Sequence, residues 1–484
     1  MVSGESVMRF VRRFISLRAL TGIVALVALA GCNVTKDYVP PQSNAPAGWH
    51  AGQATLNDQE ASALLARWWH GFNDPVLDML VARAIERNYD IRIATQRLQQ
   101  ARAMRDVAVS AQYPQIAVNM LATRNQTGYD WAEAIGVYNS FTVGFDAAWE
   151  IDVFGGVRRS VEAAQADVGA SVESRRDVLV SLLAELATNY AVLRAAQERL
   201  AIARANVAIS EETLRLMQVR FDKGLVPDQD VAQIRAQLES VRAVVPEFMA
   251  TIQWAINAIA ILVGGFPGET TALLEKPGPL LGVPFTLPLT VPSEVMLRRP
   301  DVRRAERMLA AATARVGVAE AQFFPKFIIP FGVGSQAGTI QTFLSPASFI
   351  WNFGAAVGQP VFQGGRIEAQ KRLADAIAES DRLAYEKAVR AAVRDVEDAL
   401  VGYGSQGRRV VLLESSAQAQ GIARMRSQQL YDRGLTDYFR VLYNDRSVWI
   451  AQDDIVVAKL AQVRQLIALY KALGGGWSAG ELDE

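Results

Sequence analysis

The sequence predicts a mainly α-helical, internally duplicated protein that also contributes β-strands to a membrane. Three observations carry this reading: two seven-residue apolar stripes, an ordered set of short matches displaced by a nearly constant interval, and four stretches in which apolar side chains alternate with small or polar ones. Stripes that continue for about 65 residues imply helices of about 100 Å at 1.5 Å per residue, longer than an ordinary globular domain holds.

Composition sets the outer limits. The chain has 484 residues, with 50 basic and 50 acidic side chains that cancel to a formal net charge of zero. With no basic excess to neutralise phosphates, nucleic-acid binding is excluded as a main activity. A chain that is half hydrophobic is not wholly disordered. One cysteine and two histidines supply no ligand set for zinc or an iron–sulfur cluster and no disulfide, so neither metal nor cofactor is expected. Length alone suggests about three domains, a prior that a repeated fold overrides.

At the N-terminus, Arg9, Arg12, Arg13 and Arg18 precede an apolar run from Ala19 to Ala30, the pattern of a secretory signal too short to span a bilayer comfortably. The run ends Leu29-Ala30-Gly31-Cys32, which resembles the bacterial lipobox, whose cysteine is acylated and becomes the first mature residue. The alternative is a buried cysteine in an uncleaved anchor helix. Asn33 stands where an aspartate usually marks inner-membrane lipoproteins, which favours the outer membrane. Residues 1–31 are therefore read as a signal peptide and 32–72 as a lipid-anchored segment, tethered through Pro40, Pro41 and Pro46. Trp68, Trp69 and Phe72 read as core residues fastening that segment, and His50 and His70 as solvent-side or packing residues. No further segment reaches the eighteen or so apolar residues of a membrane helix, so any crossing of a membrane must be made by strands.

The duplication organises the rest. Val219-Arg-Phe-Asp-Lys-Gly-Leu-Val226 returns as Gln429-Leu-Tyr-Asp-Arg-Gly-Leu-Thr436, Asp90-Ile91-Arg92 as Asp301-Val302-Arg303, and Ala111-Gln112-Tyr113-Pro114 as Ala321-Gln322-Phe323-Phe324-Pro325. Val153-Phe154-Gly155-Gly156 and Val361-Phe362-Gln363-Gly364-Gly365 match likewise, as do Val263-Gly264-Gly265-Phe266 and Leu473-Gly474-Gly475-Gly476-Trp477. The repeats are placed at 73–266 and 293–477, joined by a Pro-rich connector at 267–292 that reads as non-helical, with a tail at 478–484.

In the first repeat, Val172, Leu179, Leu186, Leu193, Leu200, Val207, Leu214 and Phe221 stand seven apart. In the second, Val389, Val396, Tyr403, Val410, Ala417 and Tyr431 do so, with Arg424 as the one polar member. These stripes predict unbroken helices over Val157–Phe221 and Ile367–Tyr431. After the turn at Asp222-Lys-Gly-Leu225, Val231, Ile234, Leu238, Val241 and Val245 repeat at three and four residues, giving an antiparallel return helix that Pro246 should kink without ending. Upstream, Phe141, Val143, Phe145, Ala147, Trp149 and Ile151 alternate with Thr142, Gly144, Asp146, Ala148 and Glu150. Ile116–Met120, Phe327–Val333 and Phe349–Val357 alternate similarly, giving β-hairpins at about 115–151 and 326–362. Four strands of this type suit a transmembrane barrel but cannot close one, because about eight are needed and lipid tolerates no open edge. Three copies would pool twelve.

The chain resembles the TolC-like outer membrane factors, in particular their NodT-type lipoprotein branch. The resemblance rests on the lipobox at Cys32, Trp149-Glu-Ile-Asp-Val-Phe-Gly-Gly-Val-Arg158, Phe221-Asp-Lys-Gly-Leu-Val-Pro-Asp-Gln-Asp-Val231, Arg298-Arg-Pro-Asp-Val-Arg303 and Gln359-Pro-Val-Phe-Gln-Gly-Gly-Arg366. It implies a homotrimer whose twelve-stranded barrel continues into a helical tunnel, an α-barrel. It also implies docking to a periplasmic adaptor and an inner-membrane transporter of the RND type, with passive passage of small molecules at this end. The two helix reversals would form the periplasmic tip, where Gly224 and Gly434 permit the tight turns. In such proteins acidic rings follow the turns. Asp230 matches the first position, but Arg440 and Tyr443 occupy the second, which breaks the acidic pattern. Arg440 and Tyr443 are read as closing the tip, with charge pairing to Asp230, or Arg440 as a solvated helix charge.

No phosphate-binding loop, nucleophile turn or metal-binding histidine pair is present, so no enzymatic activity is expected. The competing reading is a lipid-anchored periplasmic coiled-coil scaffold that never spans the membrane. It leaves the duplicated strands unexplained.

Overall fold

The computed structural model describes residues 37–41, 46–52, 58–126, 136–283, 287 and 289–478. Cys32, Asn33 and the signal segment lie outside them. The described residues fall into two compact units. One comprises 37–41, Leu98–Ser171 and Ala305–Tyr385, and the other comprises 46–97, Val172–Arg304 and 386–478.

Chain order is α1 (Asp58–Ala66), a 3-10 turn (Trp68–Phe72), α2 (Pro75–Arg87), α3 (Tyr89–Ser110), β1 (Gln115–Gln126), β2 (Val137–Ile151), α4 (Gly156–Asp222) and α5 (Asp228–Leu262). After the connector the same plan returns as α7 (Pro292–Arg298), α8 (Pro300–Ala321), β3 (Lys326–Ala337), β4 (Phe349–Phe353), β5 (Ala356–Gly358), α9 (Arg366–Asp432) and α10 (Tyr438–Ala472). The connector itself holds α6 (Thr271–Leu274). That single helical turn corrects the non-helical reading. It fits between Pro267 and Pro277, where every residue keeps its N–H, and Pro292 sits at the start of α7, where its missing N–H costs nothing.

In the first unit the four predicted strands form one antiparallel sheet in the order β1-β2-β3-β4, with β5 also on β3. The fourth strand is divided, contrary to expectation, though both pieces keep one register: Phe331 faces Phe353 and Ile328 faces Ala356. Pro330 causes the interruption. Its carbonyl accepts from Gly354 N at 3.2 Å, but it has no N–H to return.

Register also corrects two of the sequence matches. Gln115 and Lys326 open equivalent strands, 211 positions apart, which aligns Tyr113 with Phe324 rather than Phe323. The long helices and the positive-φ residues Gly155 and Gly365 are 210 apart, so Val361 falls opposite Ile151.

Asp152 starts α4, its carboxylate accepting from the N–H groups of Val157 (3.1 Å) and Arg158 (2.8 Å), two of the donors a helix start leaves unpaired. The helix then runs 67 residues without a break, as does α9. In the second unit the heptad members Leu179, Leu186, Leu193 and Leu200 are buried, and small Ala196 and Ala203 are buried beside them. Val389, Val396 and Val410 do the same in α9, while Phe221 is exposed one turn before the reversal. Helix α5 is continuous through Pro246.

Helices α4 and α5 also correct the expectation that no later segment is apolar enough to cross a membrane. Each contains an 18-residue window of mean hydropathy 1.4 with few charges. In α4, 67% of that window is buried inside the chain, so an Ala- and Leu-rich helical seam accounts for it.

The Arg-Arg-Pro-Asp-Val-Arg motif fastens the second repeat. Arg299, nearly buried, donates to the Ala472 carbonyl (3.0 Å) at the end of α10 and pairs with Asp301 (2.7 Å) and Asp395 (3.2 Å). Asn88 does the equivalent job for the first repeat, donating to the Leu262 carbonyl at 3.0 Å. The guanidiniums of Arg176, Arg298 and Arg303 stand 4.4, 5.7 and 5.5 Å from the buried Trp477 ring. Trp68, Trp69 and Phe72 are buried, and Trp68 stacks on Tyr470 at 4.9 Å.

Candidate functional site

Two regions carry functional geometry. The first is the sheet. Register sets side chains in rows: Ile116, Ala147, Phe331 and Phe353 lie across one face, followed by Val118, Phe145, Val333 and Trp351. Met120, Val143, Ser335 and Phe349 form a third row, in which the Ser335 hydroxyl is satisfied by Phe343 O and Ser348 Oγ. The opposite face carries Asn119, Asp146, Gly332 and Asn352, and Asn119 Nδ2 donates to Asp146 Oδ2 at 2.7 Å. Gly144 and Gly334 face each other there. A Cβ on Gly334 would lie 2.2 Å from Val143 O, so the strands approach too closely for any side chain. One face is thus oily and the other polar, as a barrel wall between lipid and water requires. β1 and β4 are edges whose outer backbone groups have no strand partner among the described residues.

The second region is the pair of helix reversals. Gly224 N donates to Phe221 O (2.8 Å) and Leu225 N to Arg220 O (2.9 Å). Gly434 and Leu435 repeat this on Tyr431 O (2.8 Å) and Leu430 O (2.9 Å). These are paired Schellman turns, and the glycines take φ of +68° and +70°, where a Cβ would be strained. The return helices start differently. α5 has Asp228 and Asp230 in its first turn, where the helix dipole favours negative charge. α10 is capped by Asp437, whose side chain accepts from Arg440 N at 3.1 Å, and has no acid in its first turn. Asp230 is half-buried, while Arg440 and Tyr443 are exposed. Neither the Asp230 carboxylate nor the Arg440 guanidinium has an ion-pair partner among the described residues, so the charge pairing expected between them is not made within one chain.

Behind the turns, sequence reasoning missed the clamp that joins the hairpins. Met217, Val231 and Ile234 are buried together against Leu214, Val226, Tyr431, Tyr438 and Leu442. Tyr431 and Tyr438 meet edge to face at 4.9 Å, and Arg220 lies over the Tyr431 ring while donating to its hydroxyl. Burial pushes the Tyr438 phenol above its ordinary range. Higher up, Arg199 of α4 grips Asp453 of α10 through two bonds of 2.7 and 2.8 Å, with its guanidinium 4.5 Å from the Phe248 ring of α5. Arg424, the odd member of the second stripe, pairs with Asp445, which removes the anomaly of a cation in a heptad seam. The one available signal was the turn repeat itself, which places Tyr431 where the first hairpin has Phe221.

The chain's described start lies on the first unit, where Asp37 pairs with the buried Arg159 at 2.8 Å and the Tyr38 hydroxyl donates to Glu306 Oε1 at 2.8 Å.

Residues 80–265 and 291–475 match the model of the outer membrane efflux protein family. The pyoverdine export outer membrane protein OpmQ of Pseudomonas aeruginosa is 31% identical over 475 residues, covering 96% of this chain and 98% of that protein. The probable outer membrane lipoprotein SilC of Salmonella typhimurium is 28% identical over 459 residues, covering 95% and 98%. Among solved structures, the outer-membrane channel OprN superposes with a TM-score of 0.83 at 32% identity, covering 92% of this chain and all of that one.

Proposed function

The chain belongs to the outer membrane efflux protein family and is the outer-membrane channel of a tripartite efflux pump, and we propose that three copies close one twelve-stranded barrel continued by a tunnel of α4, α5, α9 and α10. The observation that carries this reading is the four-stranded sheet with one apolar face and two free edges. Lipid forbids such edges, and three sheets joined edge to edge remove them. Cys32 is acylated and holds the protein in the outer membrane, a reading supported by the lipobox and by the lipoprotein relative. Outer-membrane lipid thus contacts both the anchor and the apolar rows. A periplasmic adaptor and an inner-membrane transporter of the RND type deliver small molecules to the tip, and passage through the duct is passive, without a catalytic step. The scaffold alternative has no use for such a sheet.

Gly224, Gly434, Asp230, Arg440 and Tyr443 form the gate. Three Asp230 carboxylates and three Arg440 guanidiniums meet around the opening, where pairing between chains replaces an all-acidic ring, and Tyr443 narrows the aperture. Single-channel recording of Arg440→Asp tests this assignment. A rise in conductance and in preference for cations is expected, and unchanged closure and selectivity would sink it.

A further inference from the structure

The polar face of the sheet carries a charge that the fold does not compensate. Among the described strand residues, the charged side chains of that face are Glu150, Lys326 and Asp146. Glu150 and Lys326 pair at 3.4 Å near the helix-side end of the sheet and cancel. Asp146 stands two rows farther out. Its carboxylate accepts from the neutral amide of Asn119 at 2.7 Å, and no ion pair includes it among the described residues.

The neighbouring positions leave this carboxylate uncovered. Across the strands Asp146 is in line with Ala117, Gly332 and Asn352. Ala117 is too short to reach over it, and a Cβ on Gly332 would lie 3.0 Å from Asp146 Oδ1, so any side chain there would crowd the carboxylate. The adjoining rows hold Ala148 and Pro330 on the helix side and Gly144 and Gly334 on the other. Asp146 is exposed as a result. The second repeat does not duplicate it. Phe327 opposite Val357 repeats Ile116 opposite Ala147, which puts Ala356 at the position matching Asp146, so the sheet of each chain supplies one unpaired carboxylate to this face.

We infer that Asp146 sets the ion preference of the open duct: three Asp146 carboxylates form one ring inside the barrel that concentrates small cations and repels anions there. This rests on the trimeric reading above and adds the residue that selects. Twelve strands about 4.8 Å apart and tilted by about 40° put the Cα atoms about 12 Å from the barrel axis, and the carboxylates about 9 Å from it. That distance is about one screening length at about 0.1 M salt and about a third of one at about 0.01 M. Three unit charges so placed in water, with that screening, enrich cations over anions at the axis about sixfold at the higher salt and about thirtyfold at the lower. Selection by this ring is therefore salt-dependent and independent of the residues at the tip.

Reversal potentials of the full-length protein in planar bilayers test it, with the tip opened in separate series by Arg199→Ala or by Arg440→Asp and each variant compared with its own opened parent. Under a potassium chloride gradient, Asp146→Asn should lower the ratio of potassium to chloride permeability severalfold, and by more at about 0.01 M salt than at about 0.1 M. Asp146→Lys should invert the preference. Glu150→Gln with Lys326→Gln should leave it unchanged, because that pair carries no net charge. At about 1 M salt, where the screening length falls to about 3 Å, parent and variants should converge. A duct that conducts with the parent's preference in both Asp146→Asn and Asp146→Lys would overturn the inference and leave the duct intact. A protein that inserts and conducts in neither series would overturn both.

Discussion

Replacing Arg199 with Ala should loosen the second helical hairpin from the first. The guanidinium makes two charge-assisted bonds to Asp453, at 2.7 and 2.8 Å, and covers the Phe248 ring. The side chains are 32% and 23% exposed, so the pair stands between an exposed ion pair, about 0.2–1 kcal/mol, and a buried one, whose breaking costs about 3–5 kcal/mol. Discounted for solvent, a coupling of about 1.5 kcal/mol follows, or roughly a twelvefold shift in an equilibrium. If opening of the tip separates the hairpins, the Arg199→Ala channel should show an open probability about ten times that of the parent. Arg199→Lys keeps the charge but loses the fork, and should fall between them. The assay is single-channel recording of Arg199→Ala, Asp453→Ala and the double variant as a thermodynamic cycle. Additive effects, with coupling below about 0.3 kcal/mol, would refute the clamp.

Two further outcomes follow from the sheet and from the second-repeat motif. Val333→Lys on the apolar face should impair membrane insertion by about 2–4 kcal/mol, whereas Gln336→Lys on the opposite face should be accommodated, as a heat-modifiability gel of each variant would record. Burial alone would raise the Asp301 carboxyl, but its bonds and attraction to Arg299 prevail and hold it below the ordinary aspartate value of 3.8. A depressed carboxyl stabilises the fold above that value and loses the contribution as pH falls through the folded value. The thermal midpoint of Asp301→Asn should therefore lie below that of the parent at neutral pH, with the gap narrowing under pH 4. A gap that does not change with pH would contradict the assignment.

Much of this architecture was legible because it is periodic. The stripes predicted helices over Val157–Phe221 and Ile367–Tyr431, and the structure extends each by one residue at both ends, to glycine-bearing turns that the pattern also marked. What escaped was non-local. The break in the fourth strand depends on Pro330 of a neighbouring strand, not on any residue in the strand itself. The Arg199–Asp453 and Arg220–Tyr431 contacts join residues 254 and 211 positions apart, and nothing in either local sequence names its partner. The tip residues Asp230, Arg440 and Tyr443 were found as departures from a family pattern, and one chain brings no two of them into an ion pair.

A chain that builds a duct through the outer membrane must pass ions once its tip is open. Planar-bilayer recording of the purified full-length protein tests it most directly, with the tip opened by Arg199→Ala and Arg440→Asp together. Discrete conductance steps, larger for the opened variant than for the parent, are the predicted result. A protein that inserts yet passes no current even with the tip opened would contradict it.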